Sequence, residues 1–162
     1  MKLLTTVLIA TVCLPVVVLA AAQLGALQGS APTDLGVNNG RLKPPSEAPN
    51  SVSSQADLHP GHPQQAYARI EPIRYRGDGQ AALAALSQAL AATPGVVLVE
   101  QKPGYVYARC STRWMRFTDD LELWLDESAG VIHVRSASRL GHSDLGANRA
   151  RVEALRATLA QA

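Results

Sequence analysis

The stretch "LELWLDESAGVIHVRSAS", residues 121–138, alternates strictly enough to decide the fold. Leu121, Leu123 and Leu125 take every second position, and after Glu127-Ser128-Ala129-Gly130 the same beat resumes at Ile132 and Val134. A period of two sends successive side chains to opposite faces of a strand, so the stretch predicts an antiparallel hairpin. Upstream, "GVVLVEQ" (95–101) and "YVYARCS" (105–111), separated by Lys102-Pro103-Gly104, predict two further strands. Val106, Ala108 and Cys110 join the leucine face. The opposite face collects Tyr105, Tyr107, Arg109, Glu122, Trp124, His133 and Arg135, and is aromatic and charged.

An apolar sheet face needs a cover, and the flanking sequence offers two helices. In "DGQAALAALSQALAAT" (78–93), Asp78 is a candidate N-cap, Leu83, Leu86 and Leu90 recur on one face, and Pro94-Gly95 ends the run. In "SDLGANRARVEALRATLAQA" (143–162), Val152, Leu155 and Leu159 follow helical spacing with Leu145 one turn back, and Ser143 or Asp144 supplies the cap. "RIEPIRY" (69–75) adds a short strand that Pro72 places at an edge. The order β-α-β-β-β-β-α predicts an α+β domain: an antiparallel sheet of about five strands with two helices packed on one face. Residues 70–162 form this domain, and at about 90 residues it can bury a core without disulfides.

Before the domain lie two segments of different character. Residues 1–28 begin with Lys2, an apolar run and the small residues Ala20, Ala21 and Ala22, the layout of a secretory signal with a cleavage point before Gln23. The apolar stretch continues to Leu27, roughly the 20 residues of a membrane anchor, so an uncleaved anchor is the alternative. Cys13 lacks a lipobox. Either reading predicts an exported domain, periplasmic or anchored to the inner membrane, with membrane contact through this segment if it is uncleaved. Residues 29–69 are rich in Pro, Ser and Asn and predict an extended connection that packs partly on the domain.

Composition narrows the function classes. A chain of 162 residues with a net charge of +2 and interspersed acids and arginines carries no basic footprint for nucleic acid. Cys110 stands alone after the leader, so it pairs with nothing in the mature chain and reads as a small buried hydrophobe. His59 and His62 in "HPGH" lack a third ligand, and Pro60-Gly61 opposes a helix, so a solvated loop is expected rather than a metal site. The "RGD" at 76–78 ends on the helix-capping aspartate, which gives it a structural role. "GHSD" places His142, Ser143 and Asp144 side by side, but triads converge from separate segments, and Leu145 stands where a nucleophile elbow needs glycine.

The densest polar cluster is "HVRSASRLGHSDLGANRARVEALR", residues 133–156. Arg135, Ser136, Ser138, Arg139, Ser143, Asp144, Asn148 and Arg149 sit where a strand gives way to a helix, and arginine forks beside helix N–H groups are a recipe for binding phosphate or carboxylate. Asp119, Asp120 and Glu122 could fill the same role from within the chain, leaving a polar lock instead of a ligand site.

"RLKPPSEAPNSVSSQAD", "IEPIRY", "RWMRFTDDLELWLD" and "VIHVRSASRLGHSDLGANRARVEALR" together resemble the domain-of-unknown-function 1499 family over nearly all of the chain after the leader. The resemblance implies no reaction. Many relatives carry a cysteine pair where this chain has Pro45 and Ser51, so any redox role of that pair does not extend here. The sequence therefore predicts an uncharacterised cell-envelope domain, non-catalytic, without cofactor or metal, whose junction locks the fold or binds a small anionic or envelope-derived ligand. An envelope hydrolase using acidic residues with a serine or arginine is the alternative.

Overall fold

The computed structural model describes residues 2–160, with side chains described at Thr11 and from Cys13 onward. Helix α1 (Lys2–Gln23) leads into an extended stretch, followed by β1 (Ser51–Ser53), a 3-10 turn at Ala56–Leu58 and a single helical turn, α2 (Gln65–Ala68). Then come β2 (Ile73–Arg74), α3 (Gly79–Ala91), β3 (Val96–Lys102), β4 (Tyr105–Ser111), β5 (Thr118–Asp126), β6 (Val131–Ser138) and α4 (Ala147–Ala160). The result is the expected α+β fold: a six-stranded sheet ordered β1-β6-β5-β4-β3, with β2 also pairing β6. All its ladders are antiparallel.

The extra strand is β1, inside the stretch expected to be merely extended. Ser51, Val52 and Ser53 pair with Ala137, Ser136 and Arg135. All three are buried, so "SVS" is too short and too uniformly enclosed to show alternation.

The leucine face forms the core. Leu121, Leu123, Leu125, Ile132 and Val134 pack against Leu83, Leu86 and Leu90 of α3 and Val152 and Leu155 of α4. Asp78 caps α3 by accepting bonds from the Gln80 and Ala81 N–H groups at 2.7 and 3.1 Å. Leu145 departs from the expected stripe. It is 96% exposed, because Leu145 and Gly146 both take positive φ in the turn before α4, so the helical register does not reach back to it.

The opposite face is also buried, by a cover without helical or strand periodicity. Residues 35–44 lie across it: Leu42 packs on Tyr105 and Tyr107, with Leu35 and Trp124 alongside. Asn39 and Gly40, both at positive φ, turn the segment tightly between Asn38 and Arg41, which exchange backbone bonds at 2.8 and 3.0 Å. The Gln55 side chain holds the segment in place, accepting from the Leu42 N–H at 2.8 Å and donating to the Gly40 carbonyl at 3.0 Å.

At the other end of the extended stretch, α1 finishes against the domain. Ala22 is fully buried, and the Gln23 side-chain amide donates to the carbonyls of Arg113 and Trp114 at 3.2 and 2.7 Å. Among the described residues no helix is long and apolar enough to cross a membrane; the described side chains of α1 are Thr11 and those of residues 13–23.

Candidate functional site

Strand alternation divides the polar junction between the two faces of the sheet. Ser136 and Ser138 follow Ile132 and Val134 toward the helices, whereas Arg135 follows His133 onto the covered face and Arg139, just past the strand, bonds Asp120 and Tyr107 there. The residues expected to converge therefore form two networks.

On the helix face, Asn148 is the hub and is fully buried. Its Oδ1 accepts from Ser136 Oγ at 2.6 Å, and its Nδ2 lies within 3.0 Å of three acceptors: the Asn50 carbonyl, Ser138 Oγ and Asp144 Oδ2. Asp144 caps α4, accepting from the N–H groups of Asn148 at 2.9 Å and Gly146 at 3.1 Å, and from Tyr67 Oη at 2.7 Å. Burial alone would push the Asp144 carboxyl up, but the bonds from Tyr67, Asn148 and Gly146 outweigh it and hold it below the usual carboxylate range. Arg151 closes the network by donating to Ser136 Oγ, Asn148 Oδ1 and Asp119 Oδ2 at 2.9, 2.7 and 2.7 Å.

On the covered face, Arg139 makes a two-pronged contact with Asp120, Nε to Oδ2 at 2.8 Å and Nη2 to Oδ1 at 2.7 Å. Tyr107 Oη donates to Asp120 at 2.6 Å and accepts from Arg139 at 3.2 Å. Burial and the Asp120 carboxylate push that phenol up to about 12. One strand position along, Glu122 Oε1 accepts from the Gly36 N–H at 2.7 Å and Tyr105 Oη at 2.8 Å. Arg135 donates from Nε to the Pro44 carbonyl at 3.0 Å, and its Nη1 stands 3.7 Å from Glu122 Oε2. Burial pushes the Glu122 carboxyl up and the Arg135 guanidinium down, each the expected response of a charge moved out of water.

The remaining expected site residues stand at the margin. Ser143 is exposed and its Oγ accepts from the Leu145 N–H at 3.2 Å; Arg149 donates to the Tyr67 carbonyl at 2.6 Å. Arg151, Tyr67 and Asn50 escaped the sequence reading. Arg151 had a signal, since it follows Asn148 by three residues and so shares its helix face. In the "HPGH" turn, the His62 ring accepts from the Gln64 N–H at 3.2 Å, and among the described residues no cluster of His, Cys, Asp and Glu is placed to hold a metal ion. Clefts of about 950, 370 and 210 Å³ open on the described surface, and none of these three is lined by Arg135, Ser136, Arg139 or Asn148.

A family model described as "Protein of unknown function (DUF1499)" matches residues 41–159, which takes in the covering residues from Arg41 onward, the sheet and helices α3 and α4. No curated protein and no solved structure matches the chain significantly.

Proposed function

The chain belongs to the DUF1499 family, and on that premise we propose that it is a non-catalytic cell-envelope domain, held outside the cytoplasm by an uncleaved α1, whose polar junction locks the sheet between its two covers. One observation carries the lock: the guanidinium groups of Arg135, Arg139 and Arg151 already have acceptors within the chain, in the Pro44 carbonyl, Asp120 and Asp119. An anion would have to displace these acceptors, and for Arg139 it would have to match a two-pronged contact. The alternative hydrolase reading draws no support from Ser143 and Asp144, whose oxygens accept from the turn and first backbone N–H groups of α4.

The uncleaved reading of α1 rests on Ala22 and Gln23. Cleavage between them would remove a fully buried alanine and leave Gln23, which bonds the β4–β5 loop, as a charged chain end. The export reading is supported by the charge and apolar layout of residues 1–28.

The test is thermal unfolding of the full chain in phosphate and in citrate at fixed ionic strength. The lock predicts an unchanged Tm, because only a ligand that prefers the native state raises it. A saturable rise in Tm that disappears in Arg139→Ala would contradict it.

A further inference from the structure

Among the described residues, the loop between β4 and β5, "TRWMRF" at residues 112–117, is where a large aromatic side chain and arginines meet the end of α1. Trp114 is 62% exposed, Phe117 is exposed beside it, and the Arg113 guanidinium lies 5.0 Å from the centre of the Trp114 ring. Such exposure has no role in the fold, whose core lies elsewhere. The Gln23 side chain bonds the loop's own backbone, at the carbonyls of Arg113 and Trp114, and Leu24 is almost fully exposed one residue later. The loop is thereby pinned level with the point where α1 ends.

That level has a physical meaning. The backbone of α1 runs for 22 residues, about 33 Å at 1.5 Å per residue and close to the roughly 30 Å hydrocarbon thickness of a bilayer, and the sequence LLTTVLIATV at residues 3–12 continues the apolar run of its described side chains. The described side chains of α1 that face outward, Leu14, Val16, Val17 and Val18, are apolar and exposed. If α1 spans, Gln23 emerges at the headgroups and carries the loop with it. Tryptophan favours that layer because its ring is apolar and its N–H needs a partner, and arginine favours it where the headgroups are anionic.

We propose that the β4–β5 loop, through Trp114, Phe117, Arg113 and Arg116, is a second membrane contact that seats the domain on the anionic headgroups of the bilayer that α1 enters. The proposal rests on the anchored reading of α1 given above. At the base of the loop, its own Arg116 and Arg109 of β4 line the cleft of about 210 Å³ with the hydroxyl-bearing Ser111 and Thr118, a setting suited to a lipid phosphate. Two anchoring points fix the orientation of the domain, where one helix alone would leave it free to swing.

The test uses the full chain carrying Trp124→Phe, which leaves Trp114 as its only tryptophan and is first checked for an unaltered melting curve. The chain is reconstituted into vesicles of phosphatidylcholine with or without phosphatidylglycerol, floated on a density gradient, and read by Trp114 emission and by quenching with lipids brominated at shallow or deep positions. The expected result is flotation, a blue-shifted emission, and strongest quenching from the shallow bromines in vesicles containing phosphatidylglycerol. Arg113→Gln should weaken the docked state about fivefold, the effect of one basic residue at an anionic surface. A chain that floats while Trp114 keeps the unquenched emission of a water-exposed indole overturns the loop contact and leaves the anchor standing. A chain that stays at the bottom of the gradient overturns the anchor and the loop contact together. A blue shift without lipid quenching assigns Trp114 to a protein surface and overturns the proposal.

Discussion

The two faces of the sheet are buried by different kinds of cover, and the charges beneath them differ accordingly. Two amphipathic helices cover the leucine face, where the ion pair sits at the margin and the Arg151 side chain keeps 20% of its surface in contact with water. Residues 35–44 cover the other face and bury the Arg135 side chain to 5% exposure, and Arg139 on the same face, close to Gly29, falls to 6%. A helix spends its backbone bonds on itself, whereas an extended segment still has N–H and carbonyl groups to give. Gly36 gives its N–H to Glu122 and Pro44 gives its carbonyl to Arg135. A charged sheet face is thus best closed by irregular chain, and an apolar one by helices.

The largest predicted effect follows from that difference. Glu122→Ala removes the acceptor of Gly36 and Tyr105 and strands Arg135 beneath the cover, and should cost about 3 to 5 kcal/mol. Asp119→Ala strands the partly solvated Arg151 and should cost less, about 1 to 3 kcal/mol, between the limits for buried and exposed pairs. Denaturant unfolding of both variants checks the ranking, and equal costs would erase the distinction between the covers. Comparable with the Glu122 loss is that of Leu123→Ala in the helix-side core, fully buried, at about 2 to 5 kcal/mol. On the opposite face, His133→Ala should cost about 1 to 2 kcal/mol, since it gives up a stacked contact with Trp124 at 5.1 Å and a hydrogen bond with Ser54 Oγ at 3.1 Å.

The smallest expected effect is a difference in pH response. The Asp144 carboxyl is held below its ordinary value, so its contribution is present above the unfolded-state value near 3.8 and is lost as pH falls through the folded value. The Glu122 carboxyl is pushed up, so its contribution has the opposite sign: it is full below the unfolded-state value near 4.5 and declines as pH rises through the folded value. Stability measured against pH should therefore lose part of its acid-side decline in Asp144→Asn and part of its decline as pH rises above about 4.5 in Glu122→Gln. The same change in both variants would show that one network, not two, titrates.

Much of this was legible in the sequence. Alternation assigned Leu121, Leu123, Val106 and Val134 to one face and Tyr107, Glu122 and Arg135 to the other, because a period of two leaves little choice once one face is apolar. It also separates Arg135 from Ser136, which are adjacent and therefore on opposite faces; reading the junction as a single site passed over that consequence. The cover formed by residues 35–44 was not legible, because only Leu35 and Leu42 pack on the sheet and the rest of its hold runs through backbone groups, which leaves no hydrophobic period. Only Asn39-Gly40 marks a turn there. Leu145 misled in the other direction, matching a helical spacing that the positive φ of Leu145 and Gly146 interrupts.

The central claim is that the arginines are held by the chain itself, and a double-mutant cycle on Arg139 and Asp120 tests it most directly. Arg139→Met and Asp120→Leu are measured singly and together by denaturant unfolding without added anions. The lock predicts that each single variant loses about 3 to 5 kcal/mol by leaving a buried charge unpaired, whereas the double variant recovers most of that loss, a coupling well above the roughly 0.5 kcal/mol at which independent sites add. An arginine waiting for a ligand would give the reverse: Arg139→Met as stable as the parent, and a coupling to Asp120 near zero.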